Sequence, residues 1–511
     1  MITRTPVTEK WTRSSTPRGR TGCQTCRKRR VKCDETRPSC LRCVQARWKC
    51  DGYGTSTGDK TPATRVPPKA ALSVTSYSIP FRVPGSQKDR QMLHYFCVQG
   101  SHDIAGFLSS DFWSRTILQE SHQDPVVRHA LVSLSSVHLD YVTANAPGNG
   151  TASPETLVQY GKALRILRNR ISNPSKTTTN AVLVCCILFY CFEATLGNSE
   201  AAVRHLDSGL RMLSSCRRGQ IQANVDHLER LSDMFERLDL QATIFDDGRV
   251  PLLTSASNEH DEETRDPPCE GGFSLLEDGQ RTLVKLQGSI FSFLSRNVDL
   301  KCEVKELIPA NILQEKDFLM QQYSRWLKKF DDNRPRAGHD GQAVCGIQTL
   351  LIQFHVSRML VASSFPADDS VFGSSPNETA EAVLQMAENI LRLTGEGKAS
   401  VEVAKNPRRN LSSETGIVAP LFLLAMKCSD ESVCSRAAEL LATSQRREGL
   451  YDAQTMARII GQLQDLRAKR QAKMEGYDVE QATNTALEHW IPYEIERAAG
   501  GMDRLTNSIC T

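Results

Sequence analysis

Six cysteines near the N-terminus constrain the fold of this chain more than any other feature. They fall within 28 residues and follow the spacing C-x2-C-x6-C-x6-C-x2-C-x6-C. A shift of 17 residues places the first three on the last three, so the segment contains an internal duplication. Such a repeat indicates that the six side chains share one task, either disulfide pairing or metal binding. They are Cys23, Cys26, Cys33, Cys40, Cys43 and Cys50.

Metal binding is the better interpretation of this cluster. No apolar block follows Met1 to act as a secretory signal, which predicts a reducing compartment where disulfides would not persist. Zinc takes four ligands in a tetrahedron, so two separate zinc sites would need eight ligands. No histidine occurs before His94, and six thiolates must therefore fill eight positions, which requires two of them to bridge. The resulting net charge of about −2 would be offset by nearby Lys and Arg side chains.

The residues around the cluster are strongly basic. Residues 1–50 hold 14 Lys or Arg and three acids, a net charge of +11, which leaves −7 for the rest of a chain whose total is +4. Between its second and third cysteines the first half reads RKRRVK and the second half reads VQARWK. A short helix starting near Cys23 would carry the first run into a DNA major groove. Because Arg and Lys pair with guanine O6 and N7, we expect the first half to read a G-rich triplet.

The segment GCQTCRKRRVKCDETRPSCLRCVQARWKCDGY resembles the fungal binuclear zinc cluster family of transcription factors. The resemblance implies a small domain, residues 21–53, of two short helices around two zinc ions. It further implies that Cys23 and Cys40 bridge the metals, and Pro38 matches the family's proline between the halves. The implied remaining ligands are Cys26 and Cys33 for one zinc and Cys43 and Cys50 for the other.

The resemblance also assigns roles to the cations of the cluster. By position, Arg29 and Arg30 match the family's base-contacting pair. Phosphate contacts are expected from four further cations, which position the domain without reading sequence. The full set of expected DNA-binding residues is Arg27, Lys28, Arg29, Arg30, Lys32, Arg42 and Lys49.

Two segments beside the cluster lack apolar periodicity. Residues 1–20 form a basic arm that we expect to be disordered in the free protein. In residues 54–87, 18 of 34 positions are Pro, Gly, Ser or Thr, which predicts a flexible linker. Many family members carry a heptad coiled coil after such a linker, but no heptads precede Lys88 here. A symmetric dimer built close to the DNA is therefore not predicted, and homodimer formation through the C-terminal body stays open.

Residues 88–505 have helical periodicity and few strand signals, which predicts a large all-α body. The run from Asn180 to Glu193 is apolar on all sides and predicts a central buried helix. Acidic or polar loops interrupt the helices, and we interpret them as solvated insertions, with an activation segment as the alternative. Three pairs of a capping residue and a proline predict helix starts, namely Asp124–Pro125, Ser153–Pro154 and Ser375–Pro376.

Four predicted helices of the body have an apolar face that should point inward. The inner faces are Val127, Leu131, Leu134, His138 and Tyr141 in the first, Leu157, Tyr160, Leu164, Leu167 and Ile171 in the second, Ala202, Leu206, Gly209, Leu210 and Leu213 in the third, and Val383, Ala387, Ile390 and Leu391 in the fourth.

The segment from Phe96 to Leu213 is similar to the fungal-specific regulatory domain that follows the zinc cluster in this family. The motifs that carry this similarity are FLSSDFW, VVRHALVSLSSVHLDY, LFYCFEATLGN and AAVRHLDSGLRML. The resemblance implies a helical body that receives a regulatory signal or contacts partners such as the transcription machinery.

The sequence contains none of the common catalytic motifs. It has no G-x-S-x-G, no G-x-x-x-x-G-K-[ST], no H-E-x-x-H and no G-x-G-x-x-G after a strand, so we expect no enzymatic activity. His129, His138 and His205 lie on predicted amphipathic helices and are interpreted as packing residues. The longest unbroken apolar stretch, Ala181 to Phe192, is 12 residues, short of the ~20 that cross a bilayer, so no membrane partner is expected.

These features together predict a nuclear transcription factor of a fungus that binds double-stranded DNA at RNA polymerase II promoters and reads CGG-like half-sites. The family suggests a secondary-metabolite biosynthetic gene cluster as one class of target. The alternative is a zinc-containing protein that binds RNA or has a structural role. RNA readers usually supply stacking aromatic residues, and the cluster contains only Trp48, with Tyr53 just after it.

Overall fold

The N-terminal part of this chain contains short helices that are capped by cysteine, and the C-terminal part contains longer helices that include two strongly apolar ones. The computed structural model describes residues 21–53, 84–108, 111–143, 152–172, 178–221, 225–246, 249–253, 276–300, 305–333, 340–396 and 409–474. The chain divides into two compact units, Met1–Ser73 and Val74–Thr511, which are described separately. The predicted basic arm, residues 54–83 of the predicted linker, the acidic loop 258–272 and residues 475–505 lie outside the described residues.

Residues 21–53, the described part of the first unit, contain two helices of five residues each, α1 (Gln24–Lys28) and α2 (Leu41–Gln45). In the loop between them the peptide bond Arg37–Pro38 is cis. The core of residues 21–53 consists of sulfur rather than aliphatic carbon, because the fully buried side chains among them are Cys23, Cys26, Cys40 and Cys43. The predicted small domain of two short helices around a cysteine cluster is confirmed.

In the described part of the second unit, the first eight α-helices surround one hydrophobic core. Single π-helical turns, Phe96–Gly100 and Phe112–Thr116, lie immediately before the helices that begin at Ser101 and Ile117. The helices are α3 (Gln87–Tyr95), α4 (Ser101–Ala105), α5 (Ile117–Gln123), α6 (Pro125–Thr143), α7 (Pro154–Ile171), α8 (Thr178–Leu196), α9 (Ser199–Arg217) and α10 (Val225–Phe245).

The other described helices of the second unit pack into two further cores. Helix α13 contributes to both cores, with Ile352 in one and Phe354 in the other. Short 3-10 turns lie at Val298–Leu300 and Lys305–Leu307. The helices are α11 (Leu276–Arg296), α12 (Ala310–Asn333), α13 (Gly341–Ala362), α14 (Ser370–Gly373), α15 (Glu378–Leu393), α16 (Val418–Lys427), α17 (Glu431–Thr443) and α18 (Ala453–Met474).

A small sheet joins the helical cores of the body. Strand β1 (Asn410–Ser412) pairs in parallel with β2 (Arg446–Glu448), which pairs antiparallel with β3 (Tyr451–Asp452). The guanidinium of Arg447 donates a hydrogen bond of 2.8 Å to the carbonyl of Ala194 in α8. The body is therefore mostly helical rather than entirely so. Strands this short carry too few residues for a visible alternation of apolar and polar side chains.

Two of the three predicted helix starts are confirmed. Asp124 accepts the N–H of Val126 at 2.8 Å where α6 begins, and Ser153 accepts the N–H of Thr156 at 3.3 Å where α7 begins. The third prediction, Ser375–Pro376, was wrong by two residues, because the cap of α15 is Asn377. Asn is as good an N-cap as Ser, so the pattern offered both, and the fold uses the later one.

The predicted inner faces of three helices are buried as expected, and that of α7 is only partly so. In α7 the side chains of Leu157 and Ile171 are about half exposed, whereas Ala163 and Leu167 are buried. Only the middle of this helix packs on the core, so apolar residues near its two ends remain in contact with solvent.

Two apolar helices occupy the interior of the body. Residues 179–196 and 341–362 are long and apolar enough to cross a membrane by length and composition, but 78% and 72% of their most apolar 18-residue stretches are buried. Helix α8 contains the run from Asn180 to Glu193 and is the central helix that its composition predicted. We interpret both helices as core helices of a folded domain.

Candidate metal centre and nucleic-acid interface

Each short helix of the first unit begins at a cysteine that caps it. The Sγ of Cys23 accepts the N–H of Cys26 at 3.4 Å, and the Sγ of Cys40 accepts the N–H of Cys43 at 3.3 Å. The C-x2-C spacing places the second thiol one turn after the capping thiol, on the same side of the helix. Both pairs of thiols therefore face the interior of the unit.

In each half, the backbone N–H of the first cysteine donates a hydrogen bond to the thiol of the third cysteine. The N–H of Cys23 donates to the Sγ of Cys33 at 3.4 Å, and the N–H of Cys40 donates to the Sγ of Cys50 at 3.5 Å. Arg30 and Arg47, also 17 residues apart, both have left-handed backbone with φ of 56° and 55°. The sequence duplication is thus a duplication of structure.

Four thiols from the two halves meet in the centre of the unit. The Sγ of Cys40 lies 3.6 Å from the Sγ atoms of both Cys23 and Cys26, and the Sγ of Cys43 lies 3.8 and 3.7 Å from the same two atoms. Tetrahedral zinc with Zn–S bonds of about 2.3 Å separates its sulfur ligands by roughly 3.8 Å. A disulfide needs about 2.05 Å. The thiols therefore have the spacing of metal ligands.

The two outer thiols complete the donor set for two metals. Cys33 has Cys26 and Cys40 among its sulfur neighbours, and Cys50 has Cys23 and Cys40 among its own. Cys23 also has Cys40 within 3.6 Å. This arrangement fits two zinc ions that share Cys23 and Cys40, and the assignment of these two residues as the bridging ligands stays a prediction.

The central thiols are held in surroundings that disfavour their charged form. Burial raises the pKa of Cys23 to about 12, and burial also raises the pKa of Cys40. At Cys33 burial opposes ionisation, but the N–H of Cys23 and the hydroxyl of Tyr53 outweigh it and lower the pKa to about 6. The thiolates that bridge metals therefore depend on the charge of the zinc ions themselves.

Two polar residues that sequence reasoning missed connect the halves. The carboxylate of Asp34 accepts the N–H groups of Leu41 and Arg42 at 2.9 and 3.0 Å and so caps α2. Its pKa lies below the usual range because the hydroxyl of Thr36 and the N–H of Arg42 stabilise the anion. The hydroxyl of Thr25 donates to the carbonyl of Lys49 at 3.0 Å. These contacts span 8 and 24 residues, so no local sequence pattern signals them.

The predicted DNA-binding cations lie on the surface of the unit, with one partial exception. Arg29 is half-buried, and its guanidinium lies 4.6 Å from the ring centroid of Trp48. The exposed cations are Arg27, Lys28, Arg30, Lys32, Arg42 and Lys49. Which of them contact DNA, and in which role, stays a prediction.

The two halves present different surfaces to solvent. In the second half the side chains of Leu41, Val44 and Trp48 are 53%, 57% and 56% exposed. The corresponding positions of the first half are Gln24, Arg27 and Val31, which include a cation. Sequence reasoning did not select Arg47, although the shift of 17 residues maps Arg30 onto it. The surface of the first half is thus more basic, and the surface of the second half carries more large apolar side chains.

The three histidines of the body considered as catalytic bases have packing environments. His138 is fully buried, and its Nδ1 lies 2.8 Å from the hydroxyl of Tyr95. The Nε2 of His205 lies 3.1 Å from the hydroxyl of Tyr160. Burial lowers the pKa of His129 and of His205, which favours the uncharged imidazole.

A six-thiol zinc cluster with exposed cations around it, followed by a helical body, defines a DNA-binding transcription regulator. Residues 21–60 match the model of the fungal Zn(2)-Cys(6) binuclear cluster domain, and residues 91–463 match the fungal specific transcription factor domain. The chain belongs to this family of fungal zinc cluster transcription factors. Its cluster holds two zinc ions, its zinc domain binds DNA, and it is not an enzyme.

Two curated relatives resemble this chain over most of their length. The aspercryptin biosynthesis cluster-specific transcription regulator atnN of Emericella nidulans is 25% identical over 90% of this chain and 88% of its own. The transcription regulator lscL of Purpureocillium lilacinum is 24% identical over 75% of this chain and 94% of its own. No solved structure matches the chain.

Proposed function

We propose that this protein is a nuclear regulator of RNA polymerase II promoters that reads G-rich, CGG-like half-sites with the first half of its zinc cluster. The observation that carries the proposal is the asymmetry between two halves of the same backbone. The first half carries RKRRVK where the second carries VQARWK, and the exposed side chains of α2 include the apolar Leu41 and Val44. Guanine presents two acceptors to the major groove, and exposed arginine donors match them.

Each segment of the chain has its own role in this proposal. Residues 21–53 bind DNA, and residues 54–87 connect this domain to the body. Residues 88–505 form the regulatory body, which contacts the transcription machinery. Where the protein forms a dimer, this body also contacts the second copy. Residues 1–20 add positive charge close to the DNA.

A biosynthetic gene cluster is the proposed class of target. The support for it is a relative named as a cluster-specific regulator of aspercryptin biosynthesis, which aligns with 90% of this chain. Genome-wide mapping of the bound DNA tests this part of the proposal. Sites concentrated in the promoters of one contiguous group of biosynthetic genes would support it, and sites spread over unrelated genes would reject it.

The test of DNA reading uses the full-length, zinc-loaded protein and a matched pair of variants. Selection from random duplexes should enrich a G-rich triplet, and Arg30→Ala should lose that preference. Arg47→Ala is the control, because Arg47 has the same backbone conformation and the same exposure in the other half. Equal preference in both variants would remove Arg30 from base reading.

A binding assay on the same protein also distinguishes DNA binding from the alternative function, RNA binding. A single-stranded RNA of random sequence serves as competitor, and a DNA regulator should prefer duplex DNA at every salt concentration. Tighter binding to the RNA would favour the RNA-binding alternative.

A further inference from the structure

The two outer thiols of the cluster, Cys33 and Cys50, occupy equivalent positions in the two halves. Both are half-buried, and each lies seven residues after the second cysteine of its half. A thiolate that binds a metal keeps lone pairs that can accept hydrogen bonds, and such outer-shell donors orient the ligand and strengthen metal binding. The donors around the two sulfurs therefore indicate how firmly each thiolate is held.

The backbone supplies the same two donors to each outer thiol. The Sγ of Cys33 accepts the N–H groups of Cys23 and Glu35, at 3.4 Å each. The other outer thiol accepts the N–H of Cys40 at 3.5 Å and also that of Gly52. These two donors lie 17 residues after the first two, so the duplication of the sequence extends to the hydrogen bonds of the outer thiols.

A hydroxyl group breaks this equivalence. The Oη of Tyr53 lies 3.6 Å from the Sγ of Cys33, which is within hydrogen-bonding reach because sulfur is larger than oxygen. Within residues 21–53, no hydroxyl group contacts the Sγ of Cys50. Two halves with the same backbone donors thus differ by one hydroxyl donor.

The hydroxyl hydrogen of Tyr53 has two acceptors within reach. The carbonyl oxygen of Thr36 lies 2.9 Å from the same Oη, so a neutral Cys33 thiol competes poorly for this hydrogen. A zinc-bound Cys33 has no S–H and carries negative charge, and hydrogen bonds to charged acceptors are about twice as strong as neutral ones. We therefore expect metal binding to draw the hydroxyl hydrogen toward the sulfur.

The segment that carries Tyr53 is tied to the first half of the cluster. The N–H of Gln24 in α1 donates to the carbonyl of Gly52 at 3.0 Å. The ring of Tyr53 packs against the cysteine cluster, and the guanidinium of Arg37 lies 5.1 Å from the ring centroid. These contacts hold the hydroxyl in place beside the sulfur.

We propose that Tyr53 is a positioning residue of the metal centre, whose hydroxyl donates a hydrogen bond to the Cys33 thiolate and makes the zinc ion bound by Cys33 harder to remove. The backbone donors alone would give two equivalent outer thiols, so this hydroxyl makes the two metal sites unequal. The inference concerns the metal centre and is independent of the proposed DNA reading.

Tyr53→Phe removes the hydroxyl and keeps the ring, so it isolates the hydrogen bond. In the full-length, zinc-loaded protein, mass spectrometry follows the modification of each cysteine by iodoacetamide. A sulfur that has lost a hydrogen-bond donor is more nucleophilic, so modification of Cys33 should become about tenfold faster while that of Cys50 stays unchanged. Cys97, which is exposed in the body, reports the dose of reagent.

Thr21→Val is the matched control, because it removes another hydroxyl of the same unit. The hydroxyl of Thr21 donates to the carboxylate of Glu35 and contacts no thiol among the described residues. In this variant Cys33 and Cys50 should be modified at the same rates as in the unchanged protein.

Zinc affinity gives a second measurement that does not depend on how accessible the sulfur is. Competition with a chelator of known zinc affinity yields the product of the two zinc dissociation constants, whichever ion leaves first. Tyr53→Phe should raise this product about tenfold, the lower end of the effect of outer-shell partners, since Tyr53 is only partly buried. Thr21→Val should leave the product unchanged.

Several outcomes would overturn the proposal. An unchanged modification rate of Cys33 in Tyr53→Phe would show that the hydroxyl does not act on this thiolate. Equal acceleration at Cys33 and Cys50, or complete loss of zinc binding, would show that the hydroxyl supports the fold of the whole unit instead. An unchanged product of the dissociation constants would show that the hydrogen bond does not help to hold zinc.

Discussion

Two adjacent arginines of the first half-cluster have different surroundings, and we therefore expect them to differ in how they contact DNA bases. Arg30 is exposed and follows the end of α1, whereas the guanidinium of Arg29 lies over the ring of Trp48. A guanidinium that rests on an aromatic face has fewer directions in which its N–H groups can meet a base edge. We therefore expect Arg30 to make the more discriminating contact with DNA and Arg29 to be positioned by Trp48.

Replacing Trp48 should weaken binding to the preferred site modestly. Trp48→Leu removes the ring beneath Arg29, and exposed cation–π contacts contribute about 0.5 to 1 kcal/mol, so the affinity should fall by roughly two- to fivefold. Fluorescence anisotropy on a labelled duplex measures the change. Val44→Ala removes another exposed apolar side chain of the same half and serves as the control. An unchanged affinity in Trp48→Leu would mean that Arg29 needs no such support.

A phosphate-contacting cation should behave differently from a base-reading one. Lys49→Ala should weaken binding to specific and random duplexes alike and reduce the slope of log affinity against log salt by about one contact. The measurement is the salt dependence of binding for both duplexes. A loss confined to the preferred sequence would instead make Lys49 a base-reading residue.

At the scale of elements, the first unit was predictable from its sequence to an unusual degree. The spacing of six cysteines and the charge difference between RKRRVK and VQARWK are both visible in the sequence, and the structure repeats the same local bonds in each half. The cap that Asp34 provides to α2 was not predictable, because Asp34 and Arg42 come together only once the thiols gather. Metal-directed folding thus creates contacts that no local propensity encodes.

The two half-clusters should hold two zinc ions and lose them in a pattern that reveals the bridges. Elemental analysis of the purified full-length protein should give two zinc ions per chain. Cys23→Ser or Cys40→Ser should lose both metals, and Cys26→Ser or Cys50→Ser should retain part of one. A protein with one zinc ion after Cys23→Ser would show that the bridging residues are assigned wrongly.

In the body, one buried carboxylate on a strand binds the backbone N–H groups at the start of a helix. Glu448 of β2 accepts the N–H groups of Gly416, Ile417 and Val418 at 3.0, 3.1 and 2.8 Å, where α16 begins. It also pairs with Arg446, whose other partner is Glu396. All three charged side chains are buried, so each depends on the others for compensation.

Removing the charge of Glu448 should destabilise the body strongly. Glu448→Gln leaves Arg446 partly uncompensated in a buried site, and breaking such a pair costs about 3 to 5 kcal/mol in the free energy of unfolding. Denaturant unfolding followed by circular dichroism measures the difference. The matched control is Glu200→Gln, which alters an exposed pair with Arg204 and should change stability by less than about 0.5 kcal/mol. Similar values for the two variants would rule out a structural role for the buried network.

For the molecule as a whole, the spacing of apolar residues predicted the helices well but predicted the contacts between distant elements poorly. The buried faces of α6 and α9 followed from residues three or four apart. The small sheet did not, because its strands are too short to show alternation, and β1 pairs with a strand more than 30 residues later in the chain.

The composition of residues 54–87 leads to a prediction about how two copies of the protein share DNA. A 34-residue segment of this composition is expected to be flexible and to span roughly 30 to 35 Å root-mean-square. If the bodies pair, as proposed above, we expect the two zinc clusters to reach half-sites at several separations. The affinity of the full-length protein should therefore vary little as the gap between two half-sites grows by one base pair at a time. Deleting half of the linker should narrow the tolerated range, since a shorter tether reaches fewer separations. A single sharp optimum that the deletion does not move would mean that the two zinc clusters are paired next to the DNA rather than through the body.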